Sequence, residues 1–141
     1  MRTSKLTLEP VGAAPCRVDG GNAVPSEAAM TESTATAPRT TRLDLEADGY
    51  RPLLEGPPAT AGMRSGFVTL APGKSVGKHS TEQNEELLVV LEGQGEMTFK
   101  GGSKLPVKSN SAVYCPPQTE HNVTNTGTDA LRYVYIVSNA S

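Results

Sequence analysis

The stretch Gly73-Lys74-Ser75-Val76-Gly77-Lys78-His79-Ser80-Thr81-Glu82-Gln83-Asn84-Glu85-Glu86-Leu87-Leu88-Val89-Val90-Leu91-Glu92-Gly93 decides the fold. Two strand-like runs, 75–81 and 86–91, lie between glycines that suit tight connections. A strand turns successive side chains to opposite faces, so His79 and Thr81 point the same way. The second run is apolar at five consecutive positions, Leu87 to Leu91, and so wants cover on both faces. One face carries Glu86, Leu88 and Val90, the other Leu87, Val89 and Leu91.

Outward from this stretch the same punctuation recurs. Strand-like runs are expected at 65–70, 96–99, 105–108, 112–115, 121–124 and 131–137, with earlier alternation at Arg42-Leu43-Asp44-Leu45 and Tyr50 to Leu54. Ala71-Pro72-Gly73, Gly93-Gln94-Gly95, Lys100-Gly101-Gly102 and Asn125-Thr126-Gly127 separate the runs with residues that fix φ or tolerate positive φ. About eight short strands with turns at this spacing predict an all-β jelly roll or small barrel.

The chain has 141 residues, enough for one domain, with 14 glycines and 11 prolines that favour short strands over long helices. Residues 1–40 are rich in Ala, Thr, Ser, Pro and Glu, lack either period, and are expected to form a flexible low-complexity arm ahead of a barrel over 41–141. A formal net charge of −2 with scattered cations gives no field for a nucleic-acid backbone. No apolar run of membrane-spanning length occurs, and the N-terminus lacks the apolar stretch of a secretion signal, so a cytoplasmic location with no membrane partner is expected. Cys16 and Cys115 are then expected as free thiols, Cys115 as a small buried hydrophobe.

A second stretch, Asn110 to Asn125, completes a pattern. The sequence resembles the cupin superfamily, whose first motif places a glycine, five residues, His-x-His, three or four residues, a glutamate, six residues and a glycine. Gly73, His79, Glu86 and Gly93 match, and Thr81 stands where the second histidine would be. The second motif runs glycine, five residues, Pro-x-Gly, two residues, histidine, three residues, asparagine. Pro116, His121 and Asn125 match, while Asn110 and Gln118 replace glycines. Asparagine tolerates left-handed backbone; Gln118 predicts a differently shaped turn before His121.

This resemblance implies a double-stranded β-helix that brings His79, Glu86 and His121 together in the barrel mouth to bind a divalent metal ion, with Fe, Zn, Ni, Mn or Cu all open. The chain's only two histidines both fall on ligand positions. Thr81 is expected to touch a bound water or substrate, and Gln83 could reach the site if its loop folds inward. Glu85 is the rival carboxylate, but only Glu86 lies six residues before a glycine. Met97, Phe99, Phe67, Tyr133 and Tyr135 read as core, and Asn125 as the residue closing its own turn. The resemblance implies small-molecule chemistry of dioxygenase, isomerase or lyase type, no catalytic base being evident. A non-catalytic binding or sensing barrel, with or without a metal, stands as the alternative. Cover for Leu87, Val89 and Leu91 is expected from the strand near 43–54 or from a second subunit, making a homodimer.

Overall fold

In a computed structural model, residues 37–140 are described. They form nine strands: β1 Gly49–Glu55, β2 Met63–Leu70, β3 His79–Ser80, β4 Asn84–Glu92, β5 Gln94–Phe99, β6 Lys104–Lys108, β7 Ser111–Cys115, β8 Glu120–Asn125 and β9 Leu131–Asn139. The expected arm over 1–40 falls outside the described residues except for its last four positions.

The strands make two antiparallel sheets, one in the order β1-β2-β9-β4-β7 and the other β3-β8-β5-β6. Most neighbours, such as β2–β9, β4–β9, β4–β7, β3–β8 and β5–β8, are distant in sequence, as in a jelly roll, while β1–β2 and β5–β6 are consecutive. Burial follows the alternation of a sheet with one face inward: β9 alternates buried and half-buried from Leu131 to Ser138. Leu88, Val90, Met97, Val107, Val123 and Leu131 are almost wholly buried between the sheets. Each such aliphatic side chain contributes roughly 1.5–3 kcal/mol over remaining in water. Tyr133 and Tyr135 belong to this core. Phe67 is fully buried as well, but it alternates with the core residues Val68 and Leu70 and so faces the other side of β2.

Two expected strands are shortened or missing. The alternating residues 42–45 lead instead into a turn, with Ala47 N–H donating to Asp44 O. Of the run 75–81, only His79 and Ser80 pair as a strand, apart from one isolated bridge from Ser75 to Thr124. Gly77 interrupts it with φ of 101°, a conformation a continuous ladder does not admit.

Asn125 closes its turn as expected. Its Oδ1 accepts from Gly127 N–H at 2.8 Å, while Nδ2 donates to Leu70 O and Asp129 O. One buried side chain thus ties the end of β8 to β2 and to the start of β9.

Candidate metal centre

The pairing of β3 with β8 sets His79 directly opposite His121. Side chains directly opposite in an antiparallel pair share a face, and the two rings meet edge to face with centroids 4.4 Å apart. Across the barrel β4 presents Glu86, flanked by Cys115 on β7 and Val137 on β9. His79, Glu86 and His121 are all buried, and one ligand atom from each lies within 4.8 Å of the others.

Both imidazoles are held by their backbone. His79 Nδ1 lies 2.8 Å from Gly77 O, and His121 Nδ1 lies 3.2 Å from Thr119 O. A carbonyl only accepts, so each Nδ1 donates, and in the neutral ring Nε2 is the nitrogen that can bind a metal. This is how metal-binding histidines are oriented. Gly77 is fixed in turn by its own N–H, which donates to Asn122 Oδ1 at 2.8 Å.

His121 Nε2 lies 3.3 Å from Glu86 Oε1, yet it is buried with no hydrogen-bond partner. The contact has the distance of an ion pair and not the alignment of a hydrogen bond. Ligands about 2.1 Å from one tetrahedral or octahedral ion stand roughly 3–3.5 Å apart, so this pair is already spaced as two corners of a coordination shell. An orphaned imidazole nitrogen beside a buried carboxylate is a donor set that suits a divalent ion.

Thr81 is buried beside this group, but its hydroxyl is used for the backbone. It donates to Pro116 O at 2.8 Å and accepts from Thr119 N–H at 3.0 Å, holding the loop that delivers His121. Gln118, expected to reshape that loop, keeps the positive φ a glycine would allow, at 58°, and Asn110 does the same at 66°. Gln118 offsets the cost locally, its N–H and Nε2 both donating to Glu82 O. Gln83 is exposed and the structure does not bring it to the buried group. Glu85 lies on the opposite face from Glu86 and accepts from Tyr114 Oη at 2.7 Å. Phe99, read as core, packs against the core and sits opposite His121, ring centroids 6.4 Å apart.

Cys115 is buried, with its Sγ 3.4 Å from Met97 Sδ. Burial first, and the nearby Glu86 carboxylate second, push its thiol from 9.0 up to about 12. The same two influences raise Tyr133. Both groups stay neutral, and Cys115 stands beside Glu86 as an apolar body.

The sequence comparison now fits the geometry: the Cupin_2 cupin-domain pattern matches residues 66–137, just over half the chain. The chain belongs to the cupin family. It is 31% identical over 84 residues to polyketide synthase CurC of Streptomyces cyaneus, covering 57% of this chain and 54% of that protein. It is 29% identical over 70 residues to an oxalate-binding protein of Thermotoga maritima, covering 50% of this chain and 57% of that one. It therefore spans little more than half the length of these relatives. Among solved structures, a Cupin 2 conserved barrel domain protein from Salinispora arenicola superposes with a TM-score of 0.61 at 22% identity, over 74% of this chain and 92% of that chain. An RmlC-like cupin with a double-stranded β-helix fold from Methanocaldococcus jannaschii gives 0.63 at 16% identity, over 74% and 93%. Such likenesses show the shared barrel. Among the described residues, no helix is long and apolar enough to cross a membrane.

Proposed function

We propose that this cupin binds a divalent metal ion through His79, Glu86 and His121 and uses it to act on a small oxygenated molecule. The observation that carries the reading is the orphaned, buried Nε2 of His121 facing Glu86 at 3.3 Å. Two neutral imidazoles and one carboxylate leave coordination positions open for a ligand. A bound ion there would supply Lewis-acid polarisation of substrate oxygen, or redox chemistry if it were iron or manganese.

The chain's own residues orient and exclude. Carbonyls of Gly77 and Thr119 hold the two rings, Thr81 clamps the loop before His121, and Cys115, Val137 and Phe99 flank the donors. With both histidines used as ligands, no third imidazole remains to move protons. That supports a second reading, a binding or sensing barrel that holds its ligand without turnover; the Thermotoga maritima relative is itself named for binding oxalate.

Elemental analysis of protein purified without added metal, followed by chelator competition, tests the proposal. One ion per chain with an affinity that falls on removing His121 is the expected result. A metal-free protein that takes up no added zinc, nickel, iron, manganese or copper would leave only the binding reading.

A further inference from the structure

We infer that Arg64 is the anion-recognising residue of this site, and that its ligand is a small organic acid held between the guanidinium and the His79–Glu86–His121 group. The inference rests on the metal-site reading for one end of the ligand and on independent geometry for the other.

The geometry comes from the register. Along one inner row of the five-stranded sheet, Arg64 on β2 stands opposite Val137 on β9, which stands opposite Glu86 on β4, which stands opposite Cys115 on β7. Directly opposed residues share a face, and Val137 and Cys115 belong to the core, so the row faces the barrel interior. Arg64 also alternates with Gly66 and Val68, whose inner direction is fixed: Val68 is core, and a Cβ on Gly66 would strike the Tyr135 ring at 2.7 Å. On the other sheet the matching row is His79, His121 and Phe99. β3 is an edge strand of that sheet, and β6 and β7 pack together at the opposite seam. The other two edges are β3, which carries His79, and β1, whose Glu55 stands opposite Arg64.

Arg64 is half-buried and, among the described residues, makes no hydrogen bond or ion pair, although Glu55 stands opposite it. Its guanidinium lies against the backbone of Gly56, where an added Cβ would approach Nε to 2.9 Å and Nη2 to 3.0 Å. Gly56, at φ of 92°, leaves the room for it. A planar fork of donors with no internal acceptor, at the level of the donor group, is suited to a carboxylate. Strands about 4.8 Å apart put the Arg64 and Glu86 backbones about 10 Å apart. A short bifunctional acid can span that gap. With the ion bound, Glu55 and Glu86 together balance a divalent charge and Arg64 leaves the row net positive, which draws an anion.

The test is calorimetric titration of the full-length chain, with and without zinc, using glutarate and its neutral diamide glutaramide. Wild type should bind glutarate saturably and prefer it to glutaramide. Arg64→Gln should lose about ten-fold or more in glutarate affinity, as expected for a charge-assisted bond left unmade, while glutaramide binding, zinc affinity and melting temperature hold. Arg64→Lys should recover part of the loss, keeping the charge without the fork. Failure to bind zinc would sink the metal reading alone, because the metal-free protein should still show Arg64-dependent glutarate binding. Equal glutarate affinity in wild type and Arg64→Gln, no saturable glutarate binding, or loss of zinc and glutarate together would overturn the assignment.

Discussion

His121 Nε2 approaches Glu86 Oε1 to 3.3 Å, both side chains buried, without forming a hydrogen bond. With the His121 proton on Nδ1 and shared with Thr119 O, two lone pairs face one another at that contact. Such an arrangement is stable only with a cation or a second proton between them. Metal and proton therefore compete for one place.

This competition sets the first expected outcome. Because an imidazole must be neutral to bind a metal, metal affinity should fall as acid is added. His121→Ala should weaken zinc binding by at least about a hundred-fold, leaving two protein ligands. Glu86→Leu should abolish binding, yet leave the metal-free protein no less stable, since an apolar residue of similar volume relieves a buried carboxylate. Chelator competition across pH and thermal unfolding without metal check these; a Glu86→Leu protein that keeps its zinc would place the ion elsewhere.

Thr81 should behave as a clamp. Thr81→Val keeps the shape but strands Pro116 O and Thr119 N–H, which its hydroxyl now satisfies at 2.8 and 3.0 Å. A loss of about 0.5–1.5 kcal/mol is expected from the lost part-buried hydrogen bonds, with a weaker metal site because the loop delivers His121. Thr81→Ser should restore most of both. Denaturant unfolding of the two variants decides it, and a Val variant as stable as wild type would show that the clamp is idle.

Much of this was legible in the sequence, because alternation and spacing are local. His79, Glu86 and His121 were identifiable from motif spacing, and Glu85 could be set aside by counting to Gly93. What local pattern could not show was pairing. The run 75–81 looks like one strand until Gly77 takes φ of 101°, and 42–45 alternates without finding a neighbour. Thr81's partners, Pro116 and Thr119, are more than thirty residues away, so its hydroxyl reads from sequence as available for ligand. Arg64 was invisible for the same reason. It flanks a hydrophobic run, and only the β2–β9–β4 register carries it to the level of Glu86; continuing the alternation back from Val68 through Gly66 was the one sequence signal.

Gly95 offers a test of close packing. A Cβ there would stand 2.2 Å from the Thr124 carbonyl oxygen and 2.9 Å from a Leu131 methyl. Backbone cannot yield as a flexible side chain can, so Gly95→Ala should cost about 3 kcal/mol or more. Gly101→Ala, where nothing lies within 4 Å but φ is 97°, should cost only the smaller backbone strain, about 1–2 kcal/mol. Reversal of that order in denaturant unfolding would mean that β5 and β8 are less tightly apposed than the structure shows.

Cys115 gives a pH signature. Its thiol is pushed up to about 12 from 9.0, so above pH 9 the unfolded chain releases a proton that the folded chain keeps. The folded state then binds more protons than the unfolded one, and stability falls as pH rises from 9 toward 12. Tyr133 and Tyr135, also raised by burial, add to the same trend. In a Cys16→Ser background the native protein should resist iodoacetamide at pH 8 and react once unfolded. Rapid labelling of the native protein would mean that the thiol is reachable.

The outer face of the five-stranded sheet carries the last prediction. Leu87 stands opposite Tyr114, and these two are 36% and 55% exposed. Two covers were conceivable for the outer residues of β4, an early strand or a second subunit. The structure assigns β1 to the far edge, separated from β4 by β2 and β9, so β1 does not pair beside Leu87. A second copy of the chain, pairing the same patch about a two-fold axis, would bury both residues on both chains. Sedimentation at micromolar concentration should show a dimer for wild type, while Leu87→Lys with Tyr114→Glu should give a folded monomer. Wild type sedimenting as a monomer would leave this face simply exposed.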